Sequence, residues 1–299
     1  MKTIHRTRGS ALIIVMWALV LLSAAVFTWA KLIHSEIEVS GQFNRELEAR
    51  ALAHSGIALA LHPLVTQKTP LLEDQFANDL TFQAKIVGEG GRLNINWLLA
   101  GEDERKLTLF KQWLEQMGLS FQEREVFLDS LLDYIDGDAV KRLNGVEETP
   151  DYHPPNRPLQ SVDELTQVAN SKLLTEKPGW RDQLTIYSQG PIDLTAANEN
   201  ILRLLPGLGE SRMIRFLEYR RGKDGIDGTI DDPEFKSVKE IFTYLGISEA
   251  QGKELAGLIT YKDQTMHITS IGTAANVSRQ VEVVARKGGA NPSILSWKE

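Results

Sequence analysis

The chain has 299 residues, no cysteine and a formal net charge of −7, from 33 basic and 40 acidic residues. The lack of cysteine excludes a disulfide scaffold, thiolate zinc sites and a cysteine nucleophile, and an acidic chain is poorly suited to nucleic acid, whose phosphates select a basic face. An apolar fraction of 42% with 24% charged residues is ordinary for a globular protein that buries a core.

The first predicted element is an uncharged, apolar segment at residues 10–30. A helix of that length spans about 30 Å, the thickness of the hydrocarbon core of a bilayer. Lys2, Arg6 and Arg8 precede the segment and Lys31 follows it. By the positive-inside rule, this asymmetry predicts one transmembrane helix of the inner membrane, with a cytoplasmic N-terminus and the rest of the chain in the periplasm.

The helical pattern continues beyond the membrane segment. Apolar residues recur at spacings of three and four to about residue 62, and polar residues fill much of the other face. The sequence therefore predicts one helix from residue 10 to 62, with 31–62 as its amphipathic continuation. A secretory signal cleaved near Ser23, Ala24 and Ala25 is the alternative, but such a cut would leave the first half of the helix without purpose.

The rest of the chain combines strand and helix signals. Residues 80–87 read as a strand, and the segment from 268 to the end reads as a hairpin or meander. Between them lies a degenerate repeat, each copy being a helix, an acidic loop, a capped helix and a short strand, with Ser161 and Ser237 as N-caps. Segments 90–99, 109–138, 157–168 and 182–188 of the first copy align with 189–202, 204–225, 233–245 and 257–263 of the second.

Strands that flank helical insertions predict an α+β fold. The repeat includes a helix-hairpin-helix-like stretch at 204–221. The predicted division is 63–100 for the first part of a sheet, 101–262 for an inserted helical domain with repeats at about 101–188 and 198–262, and 263–299 for the last part of the sheet.

The two acidic loops are candidate cation sites. Carboxylates crowded into one turn region repel one another unless a cation lies among them, and calcium takes six to eight oxygen ligands from such loops. A solvated acidic surface is the alternative, and neither loop has the spacing of an EF-hand. The candidate ligands are Asp136, Asp138, Glu147 and Asp151 in the first loop and Asp224, Asp227, Asp231 and Asp232 in the second.

A membrane-anchored DNA-binding protein is the alternative function. The hairpin Gly207-Leu208-Gly209 would offer backbone amides to a phosphate, with four arginines nearby, although the adjacent glutamates and aspartates oppose an anion. Enzymatic activity has little support, because the sequence contains no HExxH motif and no nucleophile elbow. The arginines are Arg212, Arg215, Arg220 and Arg221.

The N-terminus resembles the leader of type IV pilins. Arg8 and Gly9 stand directly before the apolar segment that begins at Ser10, and in that family a prepilin peptidase cuts after the glycine and methylates the new N-terminus. The cut would remove three basic residues and change the net charge from −7 to −10. Ile14 occupies the fifth mature position, where most pilin-like subunits carry glutamate, and the missing glutamate is a feature of the K-type minor pseudopilins of type II secretion systems.

The resemblance to the K-type pseudopilins extends over nearly the whole chain, through the leader with Ile14, the LDYIDGD segment and the closing VEVVARK and LSWKE. It implies a pilin-like sheet carrying a large helical insertion, and structural calcium in that insertion. It further implies a non-enzymatic subunit at the pseudopilus tip that initiates assembly and supports protein export across the outer membrane. Implied partners are the I-, J- and H-type minor pseudopilins, the major pseudopilin, the inner-membrane secretion platform and the prepilin peptidase, with no nucleic acid.

Overall fold

The computed structural model describes residues 10–69, 72–77, 79–288 and 291–299. The predicted leader, with Gly9, lies outside these residues. Helix α1, Ser10–Leu61, is a single helix of 52 residues and about 78 Å, as its periodicity predicts. Lys287 holds its end, because the ammonium group donates to the carbonyl oxygens of Ala60 at 2.7 Å and Val65 at 2.6 Å.

Shorter helices and strands follow α1. The α-helices are α2 (Ile95–Leu99), α3 (Glu104–Gln116), α4 (Phe121–Ile135), α5 (Lys172–Thr175), α6 (Glu199–Leu202), α7 (Glu210–Arg220), α8 (Val238–Leu245) and α9 (Glu249–Glu254). The strands are β1 (Glu73–Ala77), β2 (Leu80–Gly88), β3 (Leu93–Asn94), β4 (Leu184–Thr185), β5 (Ile192–Asp193), β6 (Ile259–Thr260), β7 (Thr265–Ala274), β8 (Val277–Arg286) and β9 (Ser293–Lys298). β1, β2, β7, β8 and β9 form an antiparallel sheet in that spatial order, which confirms the α+β class and the predicted terminal meander.

The second half of α1 packs across one face of this sheet. Ala53 and Ile57 of the helix lie in a buried core with Ile268 of β7, where alternating apolar residues face the helix. The contact is close because Gly272 has no side chain. A Cβ at this position would lie 2.1 Å from the carbonyl oxygen of Ala49 in the helix.

The region between β2 and β7 consists of two units, each with four α-helices between two short strands. The first runs from β3 through α2, α3, α4 and α5 to β4, and the second from β5 through α6, α7, α8 and α9 to β6. In each unit the last strand pairs in parallel with the first, so that Leu93 is opposite Leu184 and Ile192 is opposite Ile259. These strands lie in the aligned end segments of the sequence repeat, and each copy closes on itself through a two-residue bridge.

The inserted region begins before the predicted boundary at residue 100. β2 ends at Gly88, which pairs with Met266 of β7, and Leu93 and Ile95 already belong to the hydrophobic core of the insertion. The pairing of β3 with β4 explains this difference, since it ties the segment after β2 to the inserted units instead of to the sheet.

The junction between sheet and insertion is built around the buried carboxylate of Glu89, which is 2% exposed. Its Oε1 accepts a hydrogen bond from the Thr185 hydroxyl at 2.5 Å. Burial raises the pKa of Glu89, but the imidazole of His267, with Nδ1 3.5 Å from Glu89 Oε2, and the charge of Arg92 outweigh it and hold the pKa below its usual value. An ionised glutamate therefore links β7 to the start and the end of the first unit.

The two predicted N-caps differ in outcome. The hydroxyl of Ser237 accepts the amide of Glu240 at 3.2 Å and begins α8, as predicted. Ser161 makes no such bond, and a 3-10 helix, Val162–Gln167, follows it. The prediction for Ser161 is wrong because the Glu164 amide, which the hydroxyl would have to accept, donates instead to the carbonyl oxygen of Ser161 at 3.3 Å.

Candidate functional site

The first half of α1 presents apolar side chains on every side. By length and composition, α1 is the one helix in the described ranges able to cross a membrane. Ser10 is its first residue, and Ile14, the predicted tip-position residue, is 67% exposed. Nothing in the described chain covers this surface, and an uncovered apolar helix of this length is suited to a bilayer or to packing against other helices.

The first acidic loop follows α4. Asp136 ends the helix, and Asp136, Asp138 and Glu147 each place one carboxylate oxygen within 4.8 Å of the others. Asp151, the fourth predicted ligand, is exposed and lies outside this group. The structure thus brings together three of the four residues predicted as ligands in this loop.

Arg142 lies among the acidic side chains of this loop. Its guanidinium donates to Asp133 Oδ1 at 2.8 Å, to Asp136 Oδ2 and to Glu102 Oε1 at 2.7 Å. Burial lowers the pKa of Arg142, but the bonds to Asp136 and Asp133 outweigh that effect and raise it. Asp133 is fully buried, so Arg142 supplies the counter-charge that its carboxylate requires.

Two carboxylate oxygens of the first loop still lack a partner. Asp136 Oδ1 and Glu147 Oε1 are buried and accept no hydrogen bond within the described residues. Burial, followed by the charges of Asp133 and Asp136, raises the pKa of Glu147. These carboxylate oxygens have no partner and are repelled by their neighbours. They are therefore suited to bind a divalent cation such as calcium, which takes oxygen ligands.

The second acidic loop satisfies its carboxylates more fully with its own groups. Asp224, Asp231 and Asp232 also bring one oxygen each within 4.8 Å of the others. The Thr229 hydroxyl donates to Asp231 at 2.8 Å and the Lys223 amide donates to it at 2.5 Å, and these bonds lower the pKa of Asp231 to about 2. A cation is therefore needed less here than in the first loop.

Asp227, predicted as a ligand of the second loop, pairs with arginine. Arg220 Nε donates to Asp227 Oδ1 at 3.0 Å and Arg221 Nε donates to Oδ2 at 3.3 Å. Arg220 is 7% exposed and also donates to the carbonyl oxygens of Leu194 and Ala197. We therefore remove Asp227 from the ligand set, because it balances a buried arginine.

The geometry does not favour the DNA-binding alternative. Arg220 is buried in the contacts just described, and the Arg212 guanidinium donates to the carbonyl oxygen of Gly246 at 2.8 Å. A Cβ on Gly207 would lie 2.2 Å from Gln251 Nε2, so the Gln251 side chain covers the hairpin that would receive a phosphate. Helix α6, which precedes that hairpin, is a single turn.

Part of the insertion is similar in sequence to a known protein family. Residues 91–173 match the family model of the type II secretion system protein K. This part of the chain is therefore similar to the protein K family. The match to protein K runs from the start of the insertion to α5, so it contains the whole first acidic loop with Arg142. The resemblance to K-type pseudopilins inferred from the sequence is confirmed.

The fold is also similar to a solved one. A chain in the crystal structure of the GspK-GspI-GspJ complex from the type 2 secretion system of enterotoxigenic Escherichia coli matches with a TM-score of 0.60 and 14% identity. The match covers 89% of this chain and 98% of that chain, so it extends beyond the protein K region to the helix and the sheet. No curated protein matches the chain.

Sequence reasoning missed the role of Arg142. The acidic pattern of the loop points only to carboxylate ligands, whereas Arg142 binds three carboxylates. The available signal was the position of Asp133, which lies within the apolar run of α4 and therefore had to be buried with a counter-charge.

Proposed function

We propose that this chain is a non-enzymatic minor pseudopilin that caps the tip of a type II secretion pseudopilus, initiates its assembly and supports protein export. The observation that carries the proposal is α1, whose first half is apolar and uncovered while its second half is built into the sheet. Such a helix offers one packing surface to neighbouring subunits in the membrane and leaves the insertion free above them. The protein K match and the fold likeness support the assignment.

The partners follow from the same surface. We expect the I- and J-type minor pseudopilins to pack along α1, because the chain of similar fold was solved in a complex with GspI and GspJ. The H-type and the major pseudopilin are expected below them in the filament. Ile14 favours the end position, because a glutamate there would need an amine from a subunit above it. The chain is then anchored in the inner membrane with its folded region in the periplasm, in contact with the secretion platform.

Calcium bound at the first acidic loop would give this subunit a cation-dependent helical insertion. Asp136, Asp138 and Glu147 would hold the ion, and Asp224, Asp231 and Asp232 would form a second, weaker site. The ion would neutralise the crowded carboxylates and, by binding only the folded loop, stabilise it by about 2.7 kcal/mol at a hundredfold excess over its dissociation constant.

The N-terminus of the mature protein tests the assignment. Processing by the prepilin peptidase should leave Ser10 as the first residue, with an added methyl group, and replacement of Gly9 should leave the leader attached and block assembly. Mass spectrometry of the membrane-extracted protein reads this directly. An intact Met1, or a start near Ala25, would reject the pseudopilin assignment in favour of a plain membrane anchor or a cleaved signal.

A further inference from the structure

One side of α1 beyond the membrane segment forms an apolar stripe with a single interruption. Positions 32, 36, 39, 43 and 47 follow one another at spacings of three and four, so they lie in one row along the helix. Four of them are exposed apolar residues, and the remaining position is Glu36. The apolar members are Leu32, Val39, Phe43 and Leu47, which are 48–68% exposed.

This row is distinct from the part of α1 that meets the sheet. The sheet-facing residues begin at Ala49 and continue through Ala53 and Ile57, about a third of a turn away around the helix axis. Near the sheet the row ends at Arg50, which forms an ion pair with Glu299. The stripe is therefore a separate surface, continuous with the membrane-spanning half of the same helix.

Glu36 has no counter-charge among the described residues. The residues one turn away on the same side are Leu32, Ile33, Val39 and Ser40, none of them basic, and Glu36 makes no ion pair within the described residues. Glu38 is different, since it lies on the other side of the helix with its Oε1 3.3 Å from His34 Nε2. A carboxylate flanked by apolar side chains is costly to cover unless the covering surface supplies a cation.

Two other occupants of the stripe are disfavoured by the same carboxylate. A second copy of the chain, anchored in the same membrane, would hold its own Glu36 at the same height and place two negative charges together. An anionic lipid surface would repel Glu36, which lies about 9 Å beyond the end of the apolar segment at Ala30. A basic group on a different helix satisfies both the charge and the apolar flanks.

We infer that the row from Leu32 to Leu47 docks a parallel helix of a partner subunit that carries a lysine or arginine opposite Glu36, and that this ion pair selects the partner and its register. The inference rests on the proposed function, since the partner is taken to be another membrane-anchored pseudopilin. The apolar side chains supply the contact area, and the charge pair excludes helices that lack a cation at that height, as polar residues do in coiled-coil interfaces.

Site-specific cross-linking in membranes tests this inference on the full chain. The natural chain has no cysteine, so Ser40→Cys places one thiol at the edge of the stripe, one turn from Glu36, with little change in shape. The chain is co-expressed with I-, J- and H-type pseudopilins that carry single cysteines at matching heights, and the disulfide yield is measured. Glu36→Lys should lower the yield about tenfold or more. Glu38→Lys, the matched control, should leave it unchanged.

The outcomes separate the inference from the function on which it rests. Recovery of the cross-link with Glu36→Lys, when the opposing cation of the partner is changed to glutamate, would support the ion pair. Equal yields for Glu36→Lys and Glu38→Lys, with loss of the cross-link in Phe43→Asp, would show that a helix docks without using Glu36 and would overturn the inference alone. No cross-link from Ser40→Cys to any pseudopilin, or a cross-link only between two copies of this chain, would overturn the inference and remove the support for the proposed function.

Discussion

Arg142 is the residue on which the shape of the first acidic loop depends. It joins Asp133 of α4, Asp136 at the end of that helix and Glu102 of the turn before α3. Asp133 has no solvent exposure, so its charge cannot be stabilised by water when the arginine is absent. The loop is therefore arranged around an internal cation before any metal ion is considered.

We expect Arg142→Met to destabilise the protein by about 3 kcal/mol, the low end of the range for a broken buried pair, because the backbone amide at 142 still donates to Asp133. Denaturant unfolding of the detergent-extracted protein measures the change. Arg181→Met is the control, since its pair with Asp163 is exposed on both sides and should be worth less than about 1 kcal/mol. Equal effects of the two variants would contradict the assigned role of Arg142.

Glu147 gives a prediction in which calcium changes the sign of the effect. Its pKa is raised in the folded protein by burial and by the neighbouring carboxylates. The stability that this group contributes is therefore full at a pH below the pKa of an unfolded glutamate and is lost as the pH rises through the folded pKa. Glutamine at this position cannot ionise, so Glu147→Gln should avoid the loss of stability that ionisation of Glu147 causes. With a chelator present, the variant should therefore have a melting temperature about 2–4 °C higher than the natural protein at pH 7.

Calcium should reverse the order of the two melting temperatures, so that the natural protein becomes the more stable. Millimolar calcium should raise the melting temperature of the natural protein more than that of Glu147→Gln, because the variant lacks one charged ligand. The comparison is made by thermal unfolding at fixed ionic strength, with magnesium as the control for screening. A melting temperature of the natural protein that is the same in chelator and in calcium would reject the structural-calcium proposal.

At the scale of elements, the contact between α1 and the sheet depends on Gly272. A methyl group there would meet backbone atoms of α1, the carbonyl oxygen of Ala49 at 2.1 Å and the amide nitrogen of Ala53 at 2.4 Å, so the helix must shift. We expect Gly272→Ala to cost about 1–3 kcal/mol of unfolding free energy. Gly41→Ala in the same helix, with nothing within 4 Å of its Cβ, should stabilise by up to about 1 kcal/mol. Opposite signs for these glycine-to-alanine changes confirm the close contact, and equal signs reject it.

The elements that could be predicted from the sequence are those with a local signal. The apolar periodicity of α1, the alternation in β2 and the serine cap of α8 each arise from neighbouring residues, and each is present in the structure. The bridges β3–β4 and β5–β6 join residues about 90 and 67 positions apart, and each strand has only two residues. No periodic pattern in the sequence can therefore predict that these strands pair. The cap predicted at Ser161 is absent because a 3-10 turn follows it, in which the Glu164 amide donates to the carbonyl oxygen of Ser161 and not to its hydroxyl.

The sequence predicts where the candidate cation sites lie, but not which residues form each of them. Crowded aspartates identify both loops, because like charges in a short segment need a common partner. Which carboxylates converge depends on the path of the loop and on the arginines that bind some of them. Asp227 was lost to Arg220 for this reason, and Asp151 lies outside the first group.

For the whole molecule, the position in a filament is predicted to depend on Ile14. An unpaired glutamate charge in the apolar segment costs up to about 3 kcal/mol at the centre of the membrane and less near its edge, unless an amine of another subunit pairs with it. We expect Ile14→Glu to move the subunit from the tip into the shaft, or to hold it in the membrane, and to reduce secretion. Ile14→Leu should behave as the natural protein does. The readouts are secreted cargo and the location of the subunit on isolated pseudopili, and normal secretion with a capped tip in Ile14→Glu would refute the argument from the missing carboxylate.

The pairing of Gly88 with Met266 has a consequence for how such a subunit can arise. Topologically, everything between these two residues is a single hairpin loop, since the strands on either side of it are hydrogen-bonded neighbours in one sheet. A two-residue turn could join them and leave the register of β2 and β7 unchanged. The whole insertion could therefore be accepted at one loop of a smaller helix-and-sheet protein, without any change to the contact between α1 and the sheet.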